Sequence, residues 1–221
     1  MRAALESLLR ARKLDVTLTS LSDAADATAR IAPDRLAASG DEALDAALHG
    51  GLRRGQLSEI TGAPSSGRTT LLMRMLASAT ARGEAAAIVD AGDTFDPPSA
   101  DAHGVALAQL LWVREHDSSR ALKAFSLILQ AGGFGLVVLD LADAAPIAIR
   151  RFPFTTWMRI ARIVDGSDTV ALLVGGDRIA RSAGGATIAL ASAPARWQGH
   201  APRARLFAGV APATRVLGGR R

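Results

Sequence analysis

Short, mostly apolar runs alternate along this chain with longer amphipathic stretches, a rhythm that predicts strands and helices in succession. The apolar runs lie at 85–90, 110–113, 134–140 and 169–174, and the more polar 56–61 is expected as a further strand before them. Between them, 69–82 places Leu71, Leu72, Met75 and Leu76 on one helical face. Residues 118–131 do the same with Leu122, Phe125 and Leu129 before a Gly132-Gly133 stop, and 154–164 with Trp157, Ile160, Ala161 and Val164. Strands without polar alternation are buried on both faces, so the expected fold is α/β, a mostly parallel sheet flanked by helices. Upstream, 3–13 reads as a short helix with Leu5, Leu8 and Leu9 opposite Arg10 and Arg12. A strand is expected at 16–21, an alanine-rich helix at 22–31 and, past Pro33, a short helix that opens at 39–42 and ends at Gly50-Gly51. Downstream, 188–193, 205–210 and 214–217 read as short edge strands broken by Pro194, Gly199, Pro202 and Pro212, with a frayed tail at 218–221. This divides the chain into an N-terminal appendage (1–35), a core (36–195) and basic C-terminal strands with a tail (196–221).

The most informative stretch joins the first long strand to its helix: Glu59-Ile-Thr-Gly62-Ala-Pro-Ser-Ser66-Gly67-Arg68-Thr69-Thr70. It fits the phosphate-binding pattern GxxxxGK[ST] except that Arg68 stands at the lysine. Glycines at both corners let backbone N–H groups turn inward around an anion, and the following helix points its positive end at the same place. A planar guanidinium does not replace a compact ammonium between two phosphates, so the shape of the site is expected to outlast its chemistry. Asp140 closes an apolar strand where a magnesium-orienting carboxylate belongs. The candidate nucleotide-binding residues are therefore Gly62, Ser66, Gly67, Arg68, Thr69, Thr70 and Asp140.

Composition narrows the setting. With 221 residues the chain can bury one substantial core. No apolar run is long enough for a transmembrane helix and 1–20 lacks the apolar centre of a signal peptide, so a cytoplasmic protein is expected. There are no cysteines, and His49, His103, His116 and His200 lack metal-ligand spacing; no metal site is expected. The net charge of +5 is unevenly spread: eight arginines and no carboxylate follow Asp177, while 18 basic and 21 acidic residues precede Arg178. Arg178, Arg181, Arg203, Arg205, Arg215, Arg220 and Arg221 are thus candidate contacts for DNA or an acidic partner. The competing reading is a general preference for arginine, since Lys13 and Lys123 are the only lysines. Arg150 and Arg151, flanked by Phe152 and Phe154, are a further candidate contact. The plainer expectation there is a helix entry at Pro153 with both phenylalanines in the core.

With the order of elements and these motifs in view, residues 36–192 resemble the RecA family. The lead-in Ser39-Gly40 to Leu48 and Gly50-Gly51-Leu52 to Gly62, the loop itself, Ile88-Val89-Asp90-Ala91-Gly92-Asp93 and the strand 136–140 carry the resemblance. It implies a RecA-like core whose chemistry is altered at three positions. Arg68 replaces the phosphate-binding lysine, Gly92 stands where the water-activating glutamate is expected, and Gly176 where a phosphate-sensing glutamine is. Loss of a general base alone lowers rates by about 10² to 10⁴, so no useful ATPase and no cofactor are expected; ATP and magnesium are what an intact loop would hold. The gap before Gly184-Gly185 is also short, 177–183, where relatives carry a long DNA-gripping loop. Among RecA relatives the chain resembles the ImuA family, which implies a non-catalytic accessory role in SOS-induced translesion synthesis. The implied partners are an ImuB-like non-catalytic Y-family polymerase relative, an error-prone C-family polymerase, RecA and DNA. Two other readings stay open. One is a DNA-dependent ATPase that takes its base from Glu59 or Asp93; the other is a SulA-like cell-division inhibitor.

Overall fold

The computed structural model describes residues 32–180, 184–191, 195–199, 204–210 and 213–217. The helices expected over 3–13 and 22–31, the strand over 16–21, and Arg181, Arg203, Arg220 and Arg221 lie outside them.

Apolar β-branched and leucine-rich runs make the sheet. Its strands are β3 (Gln56–Gly62), β4 (Ala86–Asp90), β5 (Leu110–Arg114), β6 (Leu136–Asp140), β7 (Val170–Gly175), β8 (Gly184–Ala191) and β11 (Ala213–Leu217). They are ordered β11-β8-β3-β7-β6-β4-β5. Every pairing in this sheet is parallel except β11 with β8. The register aligns Asp90 with Asp140 and Asp140 with Val174, so the chain leaves β3, β4, β6 and β7 along one edge. Ligand sites of parallel sheets form at that carboxyl edge.

Alternate side chains feed two cores. One face packs Ile60, Ile88, Val138 and Leu172 against Leu71, Leu72, Met75 and Leu76 of α2 (Arg68–Ala81), with α1 (Glu42–Ala47) and α3 (Pro97–Ala102) contributing Leu44 and Ala100. The other packs Val89, Val137, Leu139 and Leu173 against Phe125 of α4 (Ser118–Ala131) and Trp157 and Ile160 of α6 (Phe154–Val164). Helix α4 keeps its expected bounds because both ends are chemically marked. Asp117 accepts from the Ser119 and Arg120 N–H groups at 3.0 and 2.9 Å, and Gly132 takes φ 68° just past the last turn. A short helix that the sequence did not announce, α5 (Pro146–Arg150), precedes α6, and small antiparallel pairs form between β1 (Leu36–Ala37) and β2 (Leu52–Arg53) and between β9 (Ala195–Gln198) and β10 (Leu206–Val210). Among the described residues no helix is long and apolar enough to cross a membrane.

The C-terminal strands correct the expectation of an edge meander. β8 begins at Gly184 and lies inside the sheet, parallel to β3, so only β11 occupies the edge. The cause is local. A Cβ at Gly185 would collide with the Leu57 carbonyl, and glycine lets β8 approach β3 with the Ala186 N–H donating to Ser58 Oγ at 3.1 Å.

Candidate functional site

β3 delivers Gly62 to the carboxyl edge, where its N–H donates to the Gly176 carbonyl at 3.2 Å. A Cβ on Gly62 would clash with Ser66 Oγ and stand 2.8 Å from the Leu190 carbonyl, so the first corner of the loop requires glycine. The second corner, Gly67, adopts φ 96° and ψ 12° as it caps α2, and Ser65 is left-handed too at φ 62°. Thr69 and Thr70 are exposed on the first turn, while Ser66 is buried with an unpartnered hydroxyl. The turn expected from the sequence is therefore present.

The cation of this loop is buried. Arg68 is only 8% exposed, and its buried Nη1 has no hydrogen-bond partner. That nitrogen lies 3.9 Å from where a Cβ on Gly176 would stand. On the same edge Asp140 is raised from the usual aspartate value of 3.8 to about 6. Burial is the main cause, neighbouring Asp90 and Asp143 add to it, and the Ala142 N–H and the Arg68 charge oppose it. The positive charge facing Asp140 thus comes from a buried side chain. The glycine corners, Thr69 and Thr70 fit a phosphate, while the planar guanidinium of Arg68 departs from the compact ammonium of an intact loop.

The other carboxylates near the edge are mostly engaged. Asp90 accepts from the Gly92 and Phe95 N–H groups at 3.1 and 2.8 Å. Glu59 is buried and accepts from the Ile179 and Ala180 N–H groups at 2.9 and 3.0 Å and from the Thr187 hydroxyl at 2.8 Å. Asp93 is held by Arg114 through two bonds of 2.6 Å. Asp143 differs: it is exposed, accepts no hydrogen bond among the described residues, and its Cβ lies 3.2 Å from where one on Gly92 would be. Sequence reading passed over Asp143, although its place three residues after Asp140 was available as a signal.

Beside the loop, the structure brings together Arg150 and Arg178. Both line two neighbouring cavities of about 770 and 440 Å³. The larger runs along Leu141, Pro146, Gly176 and Asp177; the smaller holds Phe152, Phe154 and Trp157; Ile149 and Ile179 border both. Phe152 meets Trp157 edge-on at 5.8 Å, as a core role requires. Phe154 corrects that expectation: at the first turn of α6 it is 51% exposed, because the inward stripe runs through Trp157, Ile160 and Val164. Arg151 is exposed at the end of α5. Arg205 and Arg215 are exposed on the C-terminal strands and line neither cavity. Among the described residues no cluster of histidine and carboxylate groups suits a metal ion.

Comparison with known proteins adds a family pattern. The RecA N-terminal domain matches residues 22–148. The chain is 42% identical over 102 residues to the RecA protein of Methylococcus capsulatus, 46% of this chain and 29% of that protein. It is 40% identical over 102 residues to RecA of Chlorobaculum tepidum, 46% of this chain and 30% of that one. The matches thus span under a third of those relatives' length. In fold the chain is similar to the crystal structure of the RadB recombinase, with TM-score 0.56 and 18% identity over 72% of this chain and 84% of that one.

Proposed function

The chain belongs to the RecA family, and on that premise we propose that it is an accessory protein that works through partners and does not turn over ATP. The observation that supports this reading is the buried Arg68, whose guanidinium lies against Gly176 and lends its charge to Asp140 in place of a phosphate-binding lysine. The setting we propose is translesion DNA synthesis after damage. The partners would be an ImuB-like polymerase relative, an error-prone C-family polymerase and RecA, with DNA contacted through the exposed Arg205 and Arg215. Two positions named as alternative bases, Glu59 and Asp93, favour the accessory reading because their carboxylates are already bonded.

One observation favours a second reading, hydrolysis of ATP: Asp143 presents an unbonded carboxylate beside Gly92. Phosphate release with and without single-stranded DNA, measured for the wild type, Arg68→Lys and Asp143→Asn, separates the two. The accessory reading expects no turnover by any of them and tighter ATP binding by Arg68→Lys, since lysine restores a phosphate contact but supplies no base. DNA-stimulated hydrolysis by the wild type that disappears in Asp143→Asn would establish the enzyme instead. Co-purification from damaged cells tests the partners: recovery of none of the three named proteins removes the translesion assignment.

A further inference from the structure

The segment 144–164, which contains α5 and α6, carries Arg150, Arg151, Arg159 and Arg162 and no carboxylate. All four arginines are exposed. The same segment exposes Ile147, Phe154 and Met158, at 65%, 51% and 38%. Exposed apolar side chains of this size among several arginines mark an interaction surface. The two cavities described above open along it, walled by Ile149, Phe152 and Ile179 and bracketed by Arg150 and Arg178. Arg150 forms no ion pair among the described residues. Arg178 is loosely held, 3.5 Å from Glu59 and 3.4 Å from the Thr187 hydroxyl, with its side chain 48% exposed.

We propose that this groove docks an acidic peptide segment of a partner protein, with a bulky apolar side chain seated between Ile149, Phe152 and Ile179 and carboxylates on Arg150 and Arg178. The inference rests on the accessory reading for the partner being a protein, and it adds the chemistry that partner must present. Charge complementarity selects an acidic ligand, and the apolar walls require an anchor that a phosphate backbone lacks. One feature weighs against single-stranded nucleic acid at this place. Trp157 is 2% exposed and set edge-on to Phe152, so of the three aromatic residues lining the smaller cavity only Phe154 is exposed, one stacking platform where successive bases need several.

Selection of random dodecapeptides on the whole chain tests the proposal, with the Ile147→Asp, Arg150→Glu double variant as the surface to select against. Both positions are exposed, and thermal melting of the variant checks that its fold is kept. Enriched peptides are expected to combine carboxylates with Phe, Leu, Met or Trp. They should lose about tenfold or more in affinity on Arg150→Ala or when their carboxylates become amides. Peptides without carboxylates, binding indifferent to Arg150, or no enrichment at all would overturn the idea. So would a single-stranded oligonucleotide that displaces the peptide and loses affinity on the same substitutions, or a dimer of the chain, seen by light scattering, that Arg150→Glu dissociates. Failure here leaves the phosphate-release result untouched, and ATP turnover would leave the groove's peptide affinity untouched, so the two readings fail separately.

Discussion

Gly176 borders two regions at the carboxyl edge of the sheet, the phosphate loop and the α5–α6 groove, whose polar groups are in opposite condition. Around the loop, Glu59, Asp90 and Asp140 accept bonds from main-chain N–H groups, and Arg68 is buried. In the groove, Arg150 is exposed without an ion pair among the described residues and Arg178 is held only loosely by Glu59, close to the exposed Ile147, Phe154 and Met158. Charged groups bonded within the fold act on stability. Those left open to solvent act on whatever arrives. Substitution of the carboxylates around the loop should therefore bear on stability, and of the groove's exposed arginines on the binding proposed above.

Substitutions that separate stability from binding sharpen this contrast. The largest effect is expected at Glu59. Its removal in Glu59→Ala orphans two buried N–H groups and the Thr187 hydroxyl, at about 1 to 3 kcal/mol for each buried group left unpaired. A loss of about 3 to 5 kcal/mol should follow, read as a lower urea midpoint, and Glu59→Gln should lose less than half of it. Equal stability of Glu59→Ala and the wild type would break the contrast.

Asp140 should show the opposite sign. Its folded value, about 6, exceeds the ordinary 3.8, so the folded chain holds the proton more tightly than the unfolded one. That favourable contribution is complete below about pH 4 and is lost as the pH rises through 6. At neutral pH the ionised, half-buried carboxylate then costs up to about 3 kcal/mol. Asp140→Asn, whose amide oxygen can still accept from the Ala142 N–H, should therefore be more stable than the wild type at pH 7.5 by up to that amount, with the gain shrinking toward zero by pH 4. Paired urea melts at the two pH values read it directly. The smallest change belongs to the groove: Arg150→Ala should alter stability by less than about 0.5 kcal/mol while weakening peptide capture. A stability loss several times larger would make Arg150 part of the fold and remove the distinction.

Much of this architecture was legible in the sequence because its signals are local. The end of Ser118–Ala131 could be read from Gly132 and the start of Phe154–Val164 from Pro153, and the phosphate loop from the spacing of Gly62 and Gly67. The features that escaped are made by contacts distant in sequence. Gly184 and Gly185 look like a break in a strand, and only the approach of the Leu57 carbonyl shows why they begin one. Glu59 looks like a free carboxylate in an apolar strand, yet its partners, Ile179, Ala180 and Thr187, come from beyond β7. Phe154 shares its spacing with residues that are buried, and its exposure follows from which face α6 turns toward α4 and the sheet.

Arg68 and Gly176 are neighbours across the carboxyl edge without competing for space. Nη1 lies 3.9 Å from where a Cβ at 176 would stand, an ordinary contact distance, so a methyl group there meets the guanidinium without displacing it. Position 176 is thus a place from which the buried cation can be touched without unseating it.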